Sequence, residues 1–420
     1  MNSRELLQKT LNHQEPERIV FDMGSSAVTG IHVKALENLR EHYGLEKRPV
    51  RVIEPYQMLG LVEEDLMEAI GIDVVGAWGH DNLLGYSNQP PLKLFKTFWG
   101  QEVLVPQQFS SITDGNGDLL SFPEGDASIS PSAKMPQASY FFDAIERQEP
   151  IDDDNLHVED NLEEFTPVSE ETLQYWKNEV EKARATGKGV VAGLGGTALG
   201  DIALVPGVQL KQPKGIRGIA EWYMSTIMRI DYIKELFDRQ TLLAIENLQR
   251  IYRTIGNDID VLFVCGTDFG TQDSTFCAPE QFDDLWLPYY QRVNDWVHTN
   301  TQWKTFKHSC GAVENFMGRF IDAGFDIINP VQVSAKGMDP KHLKETYGKY
   351  LTFWGGGVNT QTTLPYGTTQ QVREEVLRHC EIFSRDGGFV FNTVHNIQAN
   401  VPVANVVVMI DAIKEFSGKK

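Results

Sequence analysis

The sequence predicts an α/β protein built as a single (β/α)8 barrel of the TIM type, and three observations carry that expectation. Short β-branched runs alternate with amphipathic stretches of helical length, eight such runs can be counted, and the first is not followed by a glycine-rich phosphate fingerprint. Regular alternation of strand and helix implies a parallel sheet, and eight units imply closure. An open doubly wound sheet would carry the fingerprint after its first strand, and Asp22-Met23-Gly24-Ser25-Ser26 is not one.

The eight candidate strands are Ile19–Phe21, Ile72–Val75, Gly189–Leu194, Ile259–Cys265, Thr305–Lys307, Ile327–Ile328, Leu351–Trp354 and Phe389–Phe391. Segments such as Glu280–Thr299 and Thr369–Asp386 supply the intervening helical periodicity. The N-terminal stretch MNSRELLQKTLNHQEPER is polar and helix-prone, with no apolar leader. Pro90 to Pro131 alternates apolar runs with turn residues (TDGNGD, PEGD), which predicts β-hairpins inserted over about 90–165 within one domain spanning 1–420. Gln148 to Glu164, an acidic run with little apolar periodicity, reads as a solvated surface loop and lacks the spacing of a calcium loop.

Composition bounds the function. The 420 residues are 41% hydrophobic and 23% charged, an ordinary globular balance, and no run of eighteen apolar residues suggests a membrane span. Four cysteines in so long a chain do not make a disulfide framework, so a reducing cytoplasm is expected. Thirty-eight Lys and Arg against 58 Asp and Glu give a formal net charge of −20. That field disfavours nucleic acid and anionic membranes as partners.

In such barrels the reacting groups sit just past the C-terminal ends of the strands. Five successive candidate strands end in glycine or polar residues: Gly266-Thr267-Asp268-Phe269-Gly270-Thr271-Gln272, His308-Ser309-Cys310-Gly311, Asn329-Pro330-Val331-Gln332, Gly355-Gly356-Gly357-Val358-Asn359, and Asn392-Thr393-Val394-His395-Asn396. That convergence marks a site. His308 and Cys310, two apart on an extended strand end, share one face and could bind one ion, with His395 the best-placed third donor. Zinc suits mixed nitrogen and sulfur donors and needs three protein ligands in a catalytic site. An isolated His-x-Cys also occurs by chance, and Cys265 and Cys380 read as core. Asp268 is a candidate proton-handling carboxylate or a turn residue before Gly270, with His308 as its catalytic companion. Gln272, Asn329, Gln332 and Asn359 carry neutral amides suited to substrate recognition.

Four segments carry a family resemblance: DFGTQ at Asp268–Gln272 leading into a helix, HSCG at His308–Gly311, AGFDIINPVQ at Ala323–Gln332, and LTFWGGGVNTQTTLPYGT at Leu351–Thr368. Together they resemble the uroporphyrinogen decarboxylase superfamily, which includes cobalamin-dependent methyltransferases. The resemblance implies a (β/α)8 barrel. True decarboxylases of this kind carry an arginine-rich RQAGRY-like segment near the N-terminus that binds substrate carboxylates, and Asp22–Ala27 holds no arginine. The methyltransferase branch has an HxC motif and a distant cysteine that bind zinc. His308 and Cys310 match the first two ligands, and His395 stands where the third would fall.

The resemblance therefore implies methyl transfer between a small methylated compound, of aryl methyl ether or methylamine type, and the corrinoid of a partner protein. Zinc would act as Lewis acid, and Trp78, Trp99 and Trp354 are candidates for an aromatic pocket. Two other readings stay open at this point: a metal-free decarboxylase using Asp268, and a corrinoid-protein-binding module without chemistry. The methyl donor, the direction of transfer and the oligomeric state, a homodimer among the options, are not legible in the sequence.

Overall fold

The computed structural model describes residues 1–195 and 198–418. Its central sheet contains eight strands: β1 (Val20–Phe21), β2 (Val74–Ala77), β3 (Gly189–Ala192), β4 (Val261–Cys265), β5 (Lys304–His308), β6 (Ile327–Asn329), β7 (Thr352–Trp354) and β8 (Phe389–Phe391). They lie in the order β1-β8-β7-β6-β5-β4-β3-β2, every neighbouring pair parallel. At the seam, the Asp73 N–H donates to the Phe21 carbonyl at 2.8 Å, and the Phe21 N–H donates to the Asp73 carboxylate at 3.1 Å. The expected (β/α)8 barrel is the fold, and each of its strands lies on one of the eight apolar runs.

Period-two alternation sorts the strand residues into two layers. Val20, Val74, Val191, Val261, Phe306, Ile327, Trp354 and Val390, one from each strand, fill the inside of the barrel in a single cluster. Helix Ser3–Leu11 completes that cluster with Leu6, Leu7 and Leu11. Its N-terminus is fixed by a capping box between Asn2 and Glu5. Leu7 comes so close to β3 that a Cβ on Gly189 would lie 2.2 Å from Leu7 Cδ2. The helix thus plugs the N-terminal end of the barrel and leaves the other end for the site. The expected helix over Glu280–Thr299 is two, Pro279–Leu285 and Leu287–Asn300, which meet at Trp286 just before Pro288.

Between β2 and β3 the chain forms antiparallel hairpins, as Leu92–Lys96 pairs with Glu102–Pro106 and a second sheet runs through Ser111–Thr113, Leu119–Ser121, Ala133–Met135 and Asp143–Ala144. The first sheet also recruits Val50–Glu54 and Leu59–Gly60, a strand pair the sequence reading does not contain. The acidic run is not a merely solvated loop. Arg217, 1% exposed, pairs with Glu164 at 2.9 Å, Arg229 with Asp153 at 2.5 Å, and Arg239 with Glu159. Its carboxylates clamp the segment onto arginines that lie 53 to 80 residues later in the chain. Among the described residues no helix is long and apolar enough to cross a membrane.

Candidate metal centre

Two residues further along, the same alternation turns Asp22, Gly76, Gly193, His308, Asn329 and Asn392 inward at the C-terminal mouth, with Phe263 from β4 and Gly356 from β7. The β5, β6, β8 and β1 side of the mouth is therefore polar, while β2 and β3 present glycines. Gly193 is exposed, and among the described residues a Cβ there would meet nothing within 4 Å.

On the polar side, His308, Cys310 and His395 each offer a ligand atom, and these atoms all lie within 4.8 Å of one another. Cys310 Sγ is 3.4 Å from His308 Nε2, and the two imidazole rings stand edge to face with centroids 5.6 Å apart. Tetrahedral zinc with N and S donors separates its ligand atoms by roughly 3.3–3.6 Å. The His308–Cys310 pair already has that spacing, and the set closes with a shift of about 1 Å at its widest pair.

The His308 tautomer follows from its neighbours. Asn329 Nδ2 donates to the Trp354 carbonyl at 2.8 Å, so Asn329 Oδ1 is an acceptor and His308 Nδ1–H donates to it at 2.6 Å. Nε2 is left with its lone pair directed at Cys310, the state a ligand needs. Burial pulls both His308 and His395 down to about 4, so each imidazole is neutral at pH 7. Burial, aided by the Asp268 charge, pushes the Cys310 thiol well up. A bound divalent cation reverses that, because a coordinated thiol ionises.

Asp268 Oδ1 accepts the Cys310 N–H at 2.6 Å and lies 3.9 Å from His308 Nε2. Burial raises its carboxyl above the ordinary range, and the Cys310 N–H holds it back. The turns carrying these groups are braced against each other. The Phe269 N–H donates to Ser309 Oγ at 2.9 Å, and Gly270 and Gly311 pack backbone to backbone, a Cβ on Gly311 falling 2.4 Å from the Gly270 carbonyl.

The amides expected to bind substrate are tied into the protein. Gln332 Oε1 accepts the Gly311 N–H at 2.8 Å, its Nε2 donates to Gln272 Oε1 at 3.0 Å, and Gln272 Nε2 donates to the Ser334 carbonyl at 2.6 Å. Asn359 Oδ1 caps its own turn through the N–H groups of Gln361 and Thr362. Asn329 is committed at both ends, as described. Of the three tryptophans, Trp354 is in the barrel interior with Nε1 bonded to Asp22, Trp78 follows β2, and Trp99 packs on His32 and Tyr140.

Two groups of the site, Asp201 and Lys307, have no counterpart in the sequence reading. Asp201, in the loop after β3, approaches so closely that a Cβ on Gly266 would be 2.5 Å from its Oδ2; burial, together with the Asp268 charge, takes its carboxyl up to about 6. Lys307, fully buried, alternates outward from His308. Its ammonium donates to the carbonyls of Thr267 and His308 and lies 5.2, 5.8 and 5.9 Å from the rings of Phe269, Tyr290 and Phe320. It ties together the two strand ends that carry Asp268 and the His308–Cys310 pair. The one sequence signal for it is a lysine placed between Phe306 and His308 within a barrel strand, KTFKH.

Residues 154–416 match the family described as uroporphyrinogen decarboxylase (URO-D). A uroporphyrinogen decarboxylase from Pseudoalteromonas translucida (strain TAC 125) is 38% identical over 61 residues, 14% of this chain and 17% of that protein. The match thus spans less than a fifth of the curated relative's length. Among solved structures, a methyltransferase from Methanosarcina mazei aligns over 99% of both chains with a TM-score of 0.55 at 14% identity. That likeness is one of fold.

Proposed function

Because the chain belongs to the uroporphyrinogen decarboxylase family, whose fold lends itself to more than one chemistry, we propose that it is a zinc-assisted methyltransferase. It moves a methyl group between a small methylated compound and the corrinoid of a partner protein. The observation that carries this reading is the convergence of His308, Cys310 and His395 at the barrel mouth. A decarboxylase has no evident use for a soft donor set of this kind.

Zinc, if held by His308, Cys310 and His395, would supply a Lewis acid at the mouth. The chain's own residues do the rest. Asn329 holds the His308 ring so that Nε2 faces inward. Asp268, raised by burial, can hold a proton at its carboxyl and deliver it to the oxygen or nitrogen that loses the methyl group. Gly193, just past β3, keeps that part of the opposite wall low, whereas the Ser25 carbonyl and Trp78 fill the space over Gly76; the low stretch suits the approach of a bulky cofactor carried by another protein.

The decarboxylase reading is favoured by the family match, and it meets a specific obstacle. The residues after β1, Asp22–Ala27, include no cation for substrate carboxylates. The nearby arginines are spent elsewhere: Arg18 on Asp73, Arg40 on Asp65, and Arg51 on the Asn88 carbonyl. The test is metal analysis of purified protein. About one zinc per chain is expected, lost when His308 and Cys310 are both replaced by alanine; full occupancy in that double variant removes the reading.

A further inference from the structure

Asn392, like Asp22, is an inward-facing polar residue of the mouth to which methyl transfer, as set out above, gives no task. It follows β8, is 2% exposed, and continues the alternation that puts Val390 inside the barrel. Its Nδ2 donates to the carbonyls of Asp22 at 3.0 Å and Thr29 at 3.4 Å, which fixes the orientation of the amide. Its Oδ1 is buried and accepts no hydrogen bond from the described residues. The other inward polar groups are met: the Asp22 carboxylate accepts from Trp354 Nε1 and from Ser25, and His308 and Asn329 satisfy each other. Nδ2 accounts for the fold's use of the residue and leaves Oδ1 unexplained. An unmet buried acceptor costs the equivalent of roughly ten- to a hundredfold in an equilibrium constant, so a preorganised one points to a donor brought by a ligand.

We infer that Asn392 Oδ1 is the substrate-orienting acceptor of the site, taking a hydrogen bond from an O–H or N–H that the methyl compound carries beside its methyl-bearing group. The inference rests on the methyl-transfer reading and narrows its substrate class. An amide adds no charge, so a neutral hydroxyl and an ammonium N–H fit equally, and the shared chemistry is the donor. Analogues lacking it leave Oδ1 desolvated and unpaired, the situation in which polar sites discriminate most.

Calorimetric titration of the purified protein with two matched pairs tests this. The first is 2-methoxyphenol against 1,2-dimethoxybenzene, and the second is trimethylammonium against tetramethylammonium. In at least one pair the donor-bearing member is expected to bind about ten- to a hundredfold tighter. In Asn392→Leu the difference should fall to about twofold or less, with metal content unchanged. Equal affinities within both pairs, a preference that survives in the folded leucine variant, or no binding by any of the four compounds overturns the inference. Should the leucine variant fail to fold by circular dichroism, Asn392→Ala gives the same readout; should both fail, the wild-type pairs decide. Methyl transfer to a reduced corrinoid, followed by absorbance on the same preparation, tests the reaction class separately. Turnover without a donor preference removes the role of Asn392 alone, whereas a preference in protein that neither holds zinc nor transfers methyl removes the reaction class alone.

Discussion

Replacing Asn329 by leucine should weaken the proposed metal centre without touching a proposed ligand. Asn329 is fully buried, and leucine has nearly its shape, so the substitution removes two hydrogen bonds and little volume. One is the 2.6 Å bond that fixes the His308 tautomer, the other the 2.8 Å bond to the Trp354 carbonyl. Loss of a partner of this kind costs about ten- to a hundredfold in metal affinity, equivalent to about 1.4–2.8 kcal/mol. The metal-free protein should also lose about 2–4 kcal/mol of stability, because a buried imidazole N–H and a carbonyl are both left unpaired. Asn329→Asp is the control: it keeps an acceptor for Nδ1–H and should retain most of the affinity. Zinc competition against a chromophoric chelator reads the first quantity and denaturant unfolding the second. A folded leucine variant with wild-type zinc affinity would refute the assignment of His308 Nε2 as a ligand.

Asp268→Asn preserves shape and the bond from the Cys310 N–H but removes the charge, so methyl transfer should fall by about 10²-fold or more with the melting temperature nearly unchanged; lost stability with activity per folded molecule retained would assign Asp268 to the turn. Asp22 gives a pH signature. Burial raises its folded carboxyl to about 6, so the folded state binds the proton more tightly than the unfolded chain, and stability falls as pH rises through that window. Its share is about 1.4 kcal/mol between pH 5 and 7.5, and unfolding curves of Asp22→Asn should show a slope flatter by that amount; an unchanged slope contradicts the burial argument. Gly189→Val drives a side chain into Leu7 and should cost about 1–3 kcal/mol, seen as a lower melting temperature. Anaerobic incubation with uroporphyrinogen should yield no coproporphyrinogen, and product in excess of enzyme would restore the decarboxylase reading.

The barrel was legible because each strand is buried on both faces, and a β-branched run between polar turns has few other homes. Strand Val50–Glu54 escaped because Pro49 and Pro55 bound it, its local antiparallel partner is only Leu59–Gly60, and its other partner, Glu102–Pro106, lies about fifty positions away. Within the site, the His308–Cys310 spacing is local and readable, whereas the approach of His395 to them depends on where β8 closes against β1. The amides show the reverse: their chemistry was visible, but which partner each would find was set by loops meeting in space. Gln332 and Gln272 brace each other and the Cys310 turn, and Asn329 serves a histidine. Asp201 is invisible for the same reason, and Lys307 shows only as a lysine within a strand, because their partners are Gly266 and two backbone carbonyls.

The division of the mouth into a polar half and a glycine half separates what must be kept from what can be varied. Every proposed ligand stands on or just after β4 to β8, while Gly193, just past β3, has no described atom within 4 Å of an added Cβ. Substitutions there reshape the room left for a ligand without disturbing the bonds that hold His308, Cys310 and Asp268 in place. A mutational library confined to position 193 would therefore sample ligand scope while the cluster of His308, Cys310 and His395 stayed unaltered.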